Sequence, residues 1–308
     1  MHWSRSLGLA AAVLLGAVLL VAAWAKVLDP IAFAEQIERE GLDPALSPWA
    51  TALLAIGVEI FFGVALLLGV RSRWVLWPTG LLLAFFLFLT GRAYWLWTHG
   101  LLTEEAGCGC FGNLLQRTPA EAFWQDLGLL APLYLASFLG RREPERAGRL
   151  RLVVAAVVTV AGVLLAWRAP SLPLDDLATR LRPGVRVEAI CAGGAAEEAS
   201  ICLDVLLPEL AEGSHWVVLT ELGNETFRAG IDRLNELALA DPGTRVWVLA
   251  ADELQVHQAF FWEAGPVFEV REVPLPLIQP LYRTTPRSFR LRDGMVSETV
   301  SGLPERSP

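Results

Sequence analysis

The sequence predicts a bundle of membrane-spanning helices followed by a separate α/β domain, and three observations carry that prediction. The chain of 308 residues is 54% hydrophobic and only 19% charged, with 12 tryptophans, a composition too apolar for an ordinary soluble protein. Nearly all long apolar runs precede residue 169, and the remainder of the chain is a normal mixture with acidic residues scattered through it. In that second part strand and helix patterns alternate. A formal net charge of −8, with no basic run interleaved with aromatics, leaves no footprint for nucleic acid, and that class is excluded. Membrane lipid is the first partner the composition demands.

A membrane span needs about 20 apolar residues at 1.5 Å each. Five segments qualify: Leu7 to Ala25, Trp49 to Val70, Trp74 to Trp97, Ala122 to Gly140 and Leu152 to Trp167. Gln125 and Asp126 fall in the first turn of the fourth, at the expected interface. The first run, with Arg5 before it and Ala23-Trp24-Ala25 inside it, also fits a cleaved signal peptide. Cleavage would leave the later loops where they are. The expected organisation is a four-helix membrane domain over 1–145, a fifth transmembrane helix and linker over 146–170, and an α/β domain over 171–308.

Orientation follows the basic residues of the short loops. Arg71 and Arg73 join spans two and three, and Arg141, Arg142, Arg146, Arg149 and Arg151 join spans four and five, so both loops belong in the cytoplasm. The loop from Lys26 to Pro48 carries Asp29, Glu35, Glu38, Glu40 and Asp43, and the loop from His99 to Pro119 holds two cysteines behind Glu104 and Glu105. Both are expected outside an inner (cytoplasmic) membrane, with the N-terminus cytoplasmic and everything after Pro170 extracytoplasmic. All four cysteines then sit in an oxidising compartment, where disulfides persist.

The stretch EAGCGCFGN places Cys108 and Cys110 one glycine apart. A disulfide between them would close a very small ring, and strained disulfides are the easily reduced ones. As a staple it would remove almost no chain entropy, because that effect grows with loop length. Zinc would ask for four ligands, and only His99 lies near as a third, so no metal is assigned. The arrangement suits a bond that is made and broken, with a static disulfide as the alternative.

Several stretches resemble the MauE branch of the DoxX-like membrane proteins: AKVLDPIAF after span one, VEIFFGVALLLG in span two, GRAYWLW near the end of span three, GCGCFG, and FWQDLGLLAPLYL in span four. The resemblance covers residues 7 to 140, and Cys-Gly-Cys-Phe-Gly is its most specific part. It implies a four-helix membrane bundle that works with a thioredoxin-like partner in disulfide formation or thiol delivery outside the cytoplasm, the named case being maturation of methylamine dehydrogenase. It also implies that span one is retained.

Glu59 in span two and Arg92 in span three both fall in the outer half of the bilayer, at depths differing by about 6 Å. A buried charge tends to face the bundle and a partner, so these two are expected to pair. Such a pair fixes helix register; alternatively the pair, or Lys26, sets the field near Cys108 and Cys110.

In the second part, WVVLT (216–220), TRVWVLA (244–250) and VFEVREV read as strands. NETFRAGIDRLNELALAD carries Phe227, Ile231, Leu234 and Ala238 at helical spacing. Asp252 is expected to cap a helix running through Trp262, and Asp293-Gly294 marks a terminal hairpin. This order resembles the thioredoxin fold, with Thr285-Pro286 in the place of the cis-proline loop. The departure is that ELGNETF (221–227) stands where Cys-X-X-Cys is expected, so the usual chemistry at that site is excluded. Cys191 and Cys202 flank a Gly/Ala-rich turn and read as a cross-hairpin disulfide, structural or redox-active. His215 and His257 read as solvated or core residues.

Together these expectations describe a membrane thiol-disulfide exchange protein acting through Cys108 and Cys110 on an extracytoplasmic thiol protein or client enzyme. The rival from another class is a non-enzymatic assembly factor or scaffold. A quinone can enter such a bundle by analogy with other four-helix disulfide enzymes, but no residue identifies a site and none is assigned.

Overall fold

A computed structural model gives the fold over residues 2–42, 46–101, 117–139, 145–192, 201–240 and 243–304. The Cys108 and Cys110 pair lies outside the described residues. The chain divides into two units, Met1–Leu172 and Pro173–Pro308.

The N-terminal unit is helical: α1 (His2–Leu28), α2 (Pro30–Arg39), α3 (Pro48–Leu67), α4 (Arg73–Thr98), α5 (Pro119–Gly128), α6 (Leu130–Phe138) and α7 (Glu145–Arg168). Four stretches, Ser6–Leu28, Pro48–Leu67, Arg73–Thr98 and Gly148–Ser171, are long and apolar enough to cross a membrane. The fourth span expected from sequence is helical but comes in two pieces, α5 and α6, broken at Leu129. Pro132 accounts for the break. It has no N–H to donate to the Gly128 carbonyl, and its ring crowds that group.

Trp74, Trp77, Leu81, Phe88 and Trp95 of α4 and Val153, Val157, Val160 and Leu164 of α7 are all exposed. Water would penalise such a surface; lipid would not.

Helices α1 and α3 approach each other closely. A Cβ added to Gly16 would stand 2.6 Å from the Gly63 carbonyl oxygen, and one added to Gly63 would stand 2.9 Å from Leu20. Only glycine lets the two backbones meet there. Leu15, Leu19, Ile56, Leu66 and Val75 pack around the crossing, with α6 set against α1, α5 against α4 and α7 against α3.

The segment after α1 is not simply a loop. Asp29 accepts a hydrogen bond from the Ala32 amide at 3.2 Å, Pro30 takes the first helical position, and Ala34 and Ile37 are buried. Asp-Pro at a helix start thus explains LDPIAF as the opening of α2.

The C-terminal unit begins with one turn of helix, α8 (Asp175–Ala178), then β1 (Cys191–Ala192), β2 (Ile201–Cys202) and α9 (Leu203–Leu206). Its body runs β3 (Ser214–Leu219), α10 (Glu225–Ala229), α11 (Ile231–Ala240), β4 (Thr244–Ala250), α12 (Leu254–Ala264), β5 (Glu269–Glu272), α13 (Leu275–Ile278), β6 (Arg287–Arg292) and β7 (Met295–Ser301). The sheet order is β5-β4-β3-β6-β7; β3, β4 and β5 are parallel, and β6 and β7 antiparallel.

Both faces of the sheet are covered. Val217, Leu219, Trp247, Leu249 and Phe289 pack on one side, and Trp216, Val218, Val248, Phe227 and Phe260 on the other. This is why the two central strands read as unbroken apolar runs. Asp293 and Gly294 close the β6–β7 hairpin with φ of 48° and 71°, the backbone a two-residue turn requires.

Two expectations are revised in detail. The helix over 224–241 is split at Gly230 into α10 and α11. Asp252 does not cap α12; it accepts from the Leu222 amide at 2.9 Å, and the residue before α12 is Glu253. His215 is a core residue. Its Nδ1 accepts from Trp247 Nε1 at 3.1 Å, so its Nε2 carries the proton given to the Glu212 carbonyl at 2.6 Å.

Arg287, first residue of β6, is 1% exposed. It donates to the Leu281 carbonyl at 2.7 Å, the Leu181 carbonyl at 3.0 Å, Asp176 Oδ1 at 2.9 Å and the Thr179 hydroxyl. Burial lowers its pKa, and Asp175 and Asp176 offset part of that effect. Replacing it with Met leaves buried acceptors unmatched, and the expected cost is about 3 kcal/mol. Chemical unfolding of the full chain followed by near-UV circular dichroism measures this; a loss under about 1 kcal/mol would remove Arg287 as a clasp of this domain.

Candidate functional site

Lys26 of α1 and Glu59 of α3 are among the charged residues buried within the helical unit. Lys26 lies about 15 Å along α1 beyond the Gly16–Gly63 crossing, and Glu59 about 6 Å along α3 on the same side. Side chains on a helix lean toward its N-terminus. Lys26 therefore leans back toward the crossing while Glu59 leans away from it, and the two meet.

Lys26 Nζ pairs with Glu59 Oε1, with the side chains 2% and 0% exposed. Phe33 of α2 and Phe86 of α4 place their ring centroids 5.0 and 5.1 Å from the ammonium, a favourable position for a desolvated cation. Glu59 Oε2 has no hydrogen-bond partner among the described residues.

This corrects the pairing expected from depth. Arg92 Nη1 reaches Glu40 Oε2 at 3.0 Å, with both side chains about half exposed (50% and 40%). Depth along a span is readable from sequence, but which helices face each other is not. Here α3 lies against α1 far more than against α4, so Glu59 finds the lysine of α1.

Asp126, expected at the interface, is buried and accepts from the Thr90 hydroxyl at 3.2 Å. Arg117, at the start of that segment, donates to Gln125 Oε1 at 2.7 Å. The T-P-A-E sequence from Thr118 forms a reciprocal cap in which the Thr118 hydroxyl accepts from the Glu121 amide and Glu121 accepts from the Thr118 amide. That box was legible in the sequence and fixes where α5 begins; the Thr90–Asp126 bond was not.

Between α2, α3 and α4 lies a cavity of ≈ 130 Å³. Its walls are mostly apolar, with Phe33, Ile37, Ala55, Leu82 and Phe86 among them, and Lys26, Gln36, Glu40, Thr51 and Thr90 also line it. No periodicity or motif marks this space, because it is left between residues of three helices.

In the C-terminal unit, Cys191 and Cys202 stand directly opposite across β1 and β2 and are joined by a disulfide, with Cα atoms 3.9 Å apart. The Thr285–Pro286 bond is cis. Asn224, in the segment that replaces Cys-X-X-Cys, donates through Nδ2 to the Thr285 carbonyl at 3.1 Å and lies 3.3 Å from its hydroxyl. Its Oδ1 accepts from the Phe227 amide at 3.0 Å and caps α10. An amide therefore ties the helix start to the proline loop.

Breaking the Lys26–Glu59 pair from one side strands a charge in the bundle. Lys26→Met alone is expected to cost about 3–5 kcal/mol, whereas Lys26→Met with Glu59→Leu is expected to restore most of it. Thermal unfolding in lipid nanodiscs distinguishes them; a double variant as unstable as the single one would mean that the pair is not the source of the loss.

Residues 4–139 match the family described as methylamine utilisation protein MauE. No curated protein matches the chain. Among solved structures, a thiol:disulfide interchange protein DsbE from Chlorobium tepidum aligns at 16% identity and a TM-score of 0.32, covering 40% of this chain and 88% of that one. The thioredoxin domain of a thiol-disulfide oxidoreductase from Bacteroides vulgatus aligns at 13% identity and 0.31, covering 40% and 90%. A secreted disulfide oxidoreductase from Mycobacterium tuberculosis aligns at 17% and 0.28, covering 37% and 83%. These are low scores, and the thioredoxin-like character is carried by the domain's own features: parallel strand-helix-strand crossovers, the β5-β4-β3-β6-β7 order and the cis-proline before the terminal hairpin. The chain thus joins a multi-pass MauE-like membrane domain to a thioredoxin-like domain that has no Cys-X-X-Cys.

Proposed function

We propose that this is a membrane-bound thiol-disulfide exchange protein that passes redox equivalents through Cys108 and Cys110 to or from an extracytoplasmic thiol protein. The observation that carries the reading is the Cys-Gly-Cys element within a domain that matches the MauE family. A two-cysteine ring this small serves chemistry better than it serves stability.

In the exchange, the thiolate of one cysteine attacks a sulfur of the partner disulfide and a mixed disulfide forms. The second cysteine attacks that bond, closing Cys108–Cys110 and releasing the partner as a dithiol. Two S–H bonds are lost on one side and two gained on the other, and the reverse sequence oxidises the partner. Positive-inside loops support a placement in the inner membrane with the N-terminus cytoplasmic and the thioredoxin-like domain outside.

Without its own Cys-X-X-Cys, that domain serves to present the partner. Cys191 and Cys202 lie across a short two-stranded ribbon, which suits a staple; a second relay through them is the alternative. The rival reading, a scaffold that binds a client without redox turnover, draws on Asn224, which occupies the proline loop where a partner's thiol chemistry would otherwise meet a cysteine.

Thiol trapping on intact cells with a membrane-impermeant, mass-shifting maleimide tests the proposal. Cys108 and Cys110 are expected to label after mild reduction and to re-form their bond when the reductant is removed. The Cys108→Ser, Cys110→Ser variant is expected to lose function in vivo. A fully functional double serine variant, or thiols that label only after lysis, would favour the scaffold.

A further inference from the structure

We propose that the end of the bundle where α1 begins binds the phosphate group of an anionic membrane phospholipid, with Arg71 as its principal contact. The inference rests on the membrane character of the helical unit and is independent of the exchange chemistry.

Two glycines show which elements meet there. A Cβ added to Gly8 of α1 would stand 2.7 Å from Arg71 Nη1 and 3.0 Å from the Leu139 carbonyl oxygen. One added to Gly69 would stand 2.9 Å from Leu9 Cδ1 and 3.9 Å from Arg151 Nη1. The start of α1, the turn between α3 and α4, the residue that closes α6 and the first turns of α7 therefore share one place. Two guanidinium groups reach it, Arg71 from the turn itself and Arg151 from α7.

Arg71 is the informative one of the two. Its Nε and Nη1 are buried, and no acceptor among the described residues meets them. Those two atoms carry three of the five N–H donors of a guanidinium. Leaving buried donors unmatched is costly. The Leu139 carbonyl is close by, yet it accepts no hydrogen bond from either nitrogen. The side chain as a whole is only partly buried. Turning outward to meet an acceptor therefore breaks no hydrogen bond at Nε or Nη1 and relieves both.

The level of the site in the membrane names the acceptor. Trp3, near the start of α1, and Trp74 and Trp77, in the first turns of α4, are almost wholly exposed. Exposed tryptophans at span ends settle among lipid headgroups. Arg71 lies between the end of α3 and the start of α4, so its guanidinium belongs at the same depth. A phosphate brings several charged oxygens there, and a guanidinium fork matches them in geometry and in sign. A basic recess between spans is the form that a headgroup site takes. With Arg151 adding a second positive charge, an anionic headgroup is favoured over a zwitterionic one, whose own cation opposes the pair. An acyl chain offers no acceptor at all.

Native mass spectrometry of the full-length protein, released from phosphatidylcholine nanodiscs containing a minor fraction of phosphatidylglycerol, tests the site. One phosphatidylglycerol is expected to remain bound under activation that strips phosphatidylcholine. Arg71→Gln is expected to weaken that retention about tenfold, as loss of one charge-assisted contact does. Arg149→Gln, an exposed arginine of α7, reports the diffuse surface charge and is expected to weaken it far less. Thermal midpoints in pure phosphatidylcholine establish that each variant is folded. Should Arg71→Gln fail to fold, hydrogen exchange of the unmodified chain decides: amides of 69–76 are expected to exchange more slowly with phosphatidylglycerol present than without it. Equal retention of the two lipids, equal losses in the two variants, or exchange over 69–76 that ignores the lipid overturns the site and leaves Arg71 as a group packed against the end of α6. Displacement of phosphatidylglycerol by millimolar inorganic phosphate would uphold a phosphate site and overturn the lipid as its source.

Discussion

The helical unit is organised around an ion pair that has almost no access to solvent. Lys26 and Glu59 come from the end of one helix and the middle of another. In an apolar bundle either charge alone would be costly, so the two must stay together. The pair therefore determines how α1 and α3 are aligned along their length, while Gly16 and Gly63 determine how closely they approach. Around the pair, α2 and α4 contribute the phenyl rings of Phe33 and Phe86. Four helices are thereby tied to one cation.

The cavity lies beside this arrangement and shares Lys26, Phe33 and Phe86 with it. Asp126 and Thr90 sit near by, joined across α4 and α5, at the helices whose ends flank the segment carrying Cys108 and Cys110. The polar cluster and the cysteine-bearing segment thus share two helices by chain connectivity.

The thioredoxin-like domain shows the opposite strategy. Its sheet and proline loop are kept, but the residue that meets the loop is Asn224, whose amide both caps α10 and bonds the Thr285 carbonyl. Arg287, next to the proline, fastens the segment before the sheet to β6 through the Leu181 carbonyl, the Thr179 hydroxyl and Asp176, and holds the loop before β6 through the Leu281 carbonyl. Interactions that stabilise the architecture now occupy the place where a reactive thiol would be, which supports a presenting role.

The sequence by itself determined the class of each half. Apolar runs of membrane length, the basic loops, the two central strand patterns and the Asp293-Gly294 turn are legible from local spacing and composition, because lipid thickness and backbone periodicity act on short segments. Cysteine positions were equally plain, and the cross-strand partnership of Cys191 and Cys202 could be read from two short runs around a turn. What only the tertiary structure decided was who faces whom. Glu59 could be placed at a depth but not beside a given helix, so Lys26 rather than Arg92 became its partner; Asp126 could be placed near an interface but not against Thr90. The break at Leu129 and the start of α2 had local causes in Pro132 and Asp29-Pro30, yet the cavity between three helices has no local cause. It depends on the rotation of each helix about its axis, which is set by packing of the whole bundle and leaves no mark on any one stretch of chain.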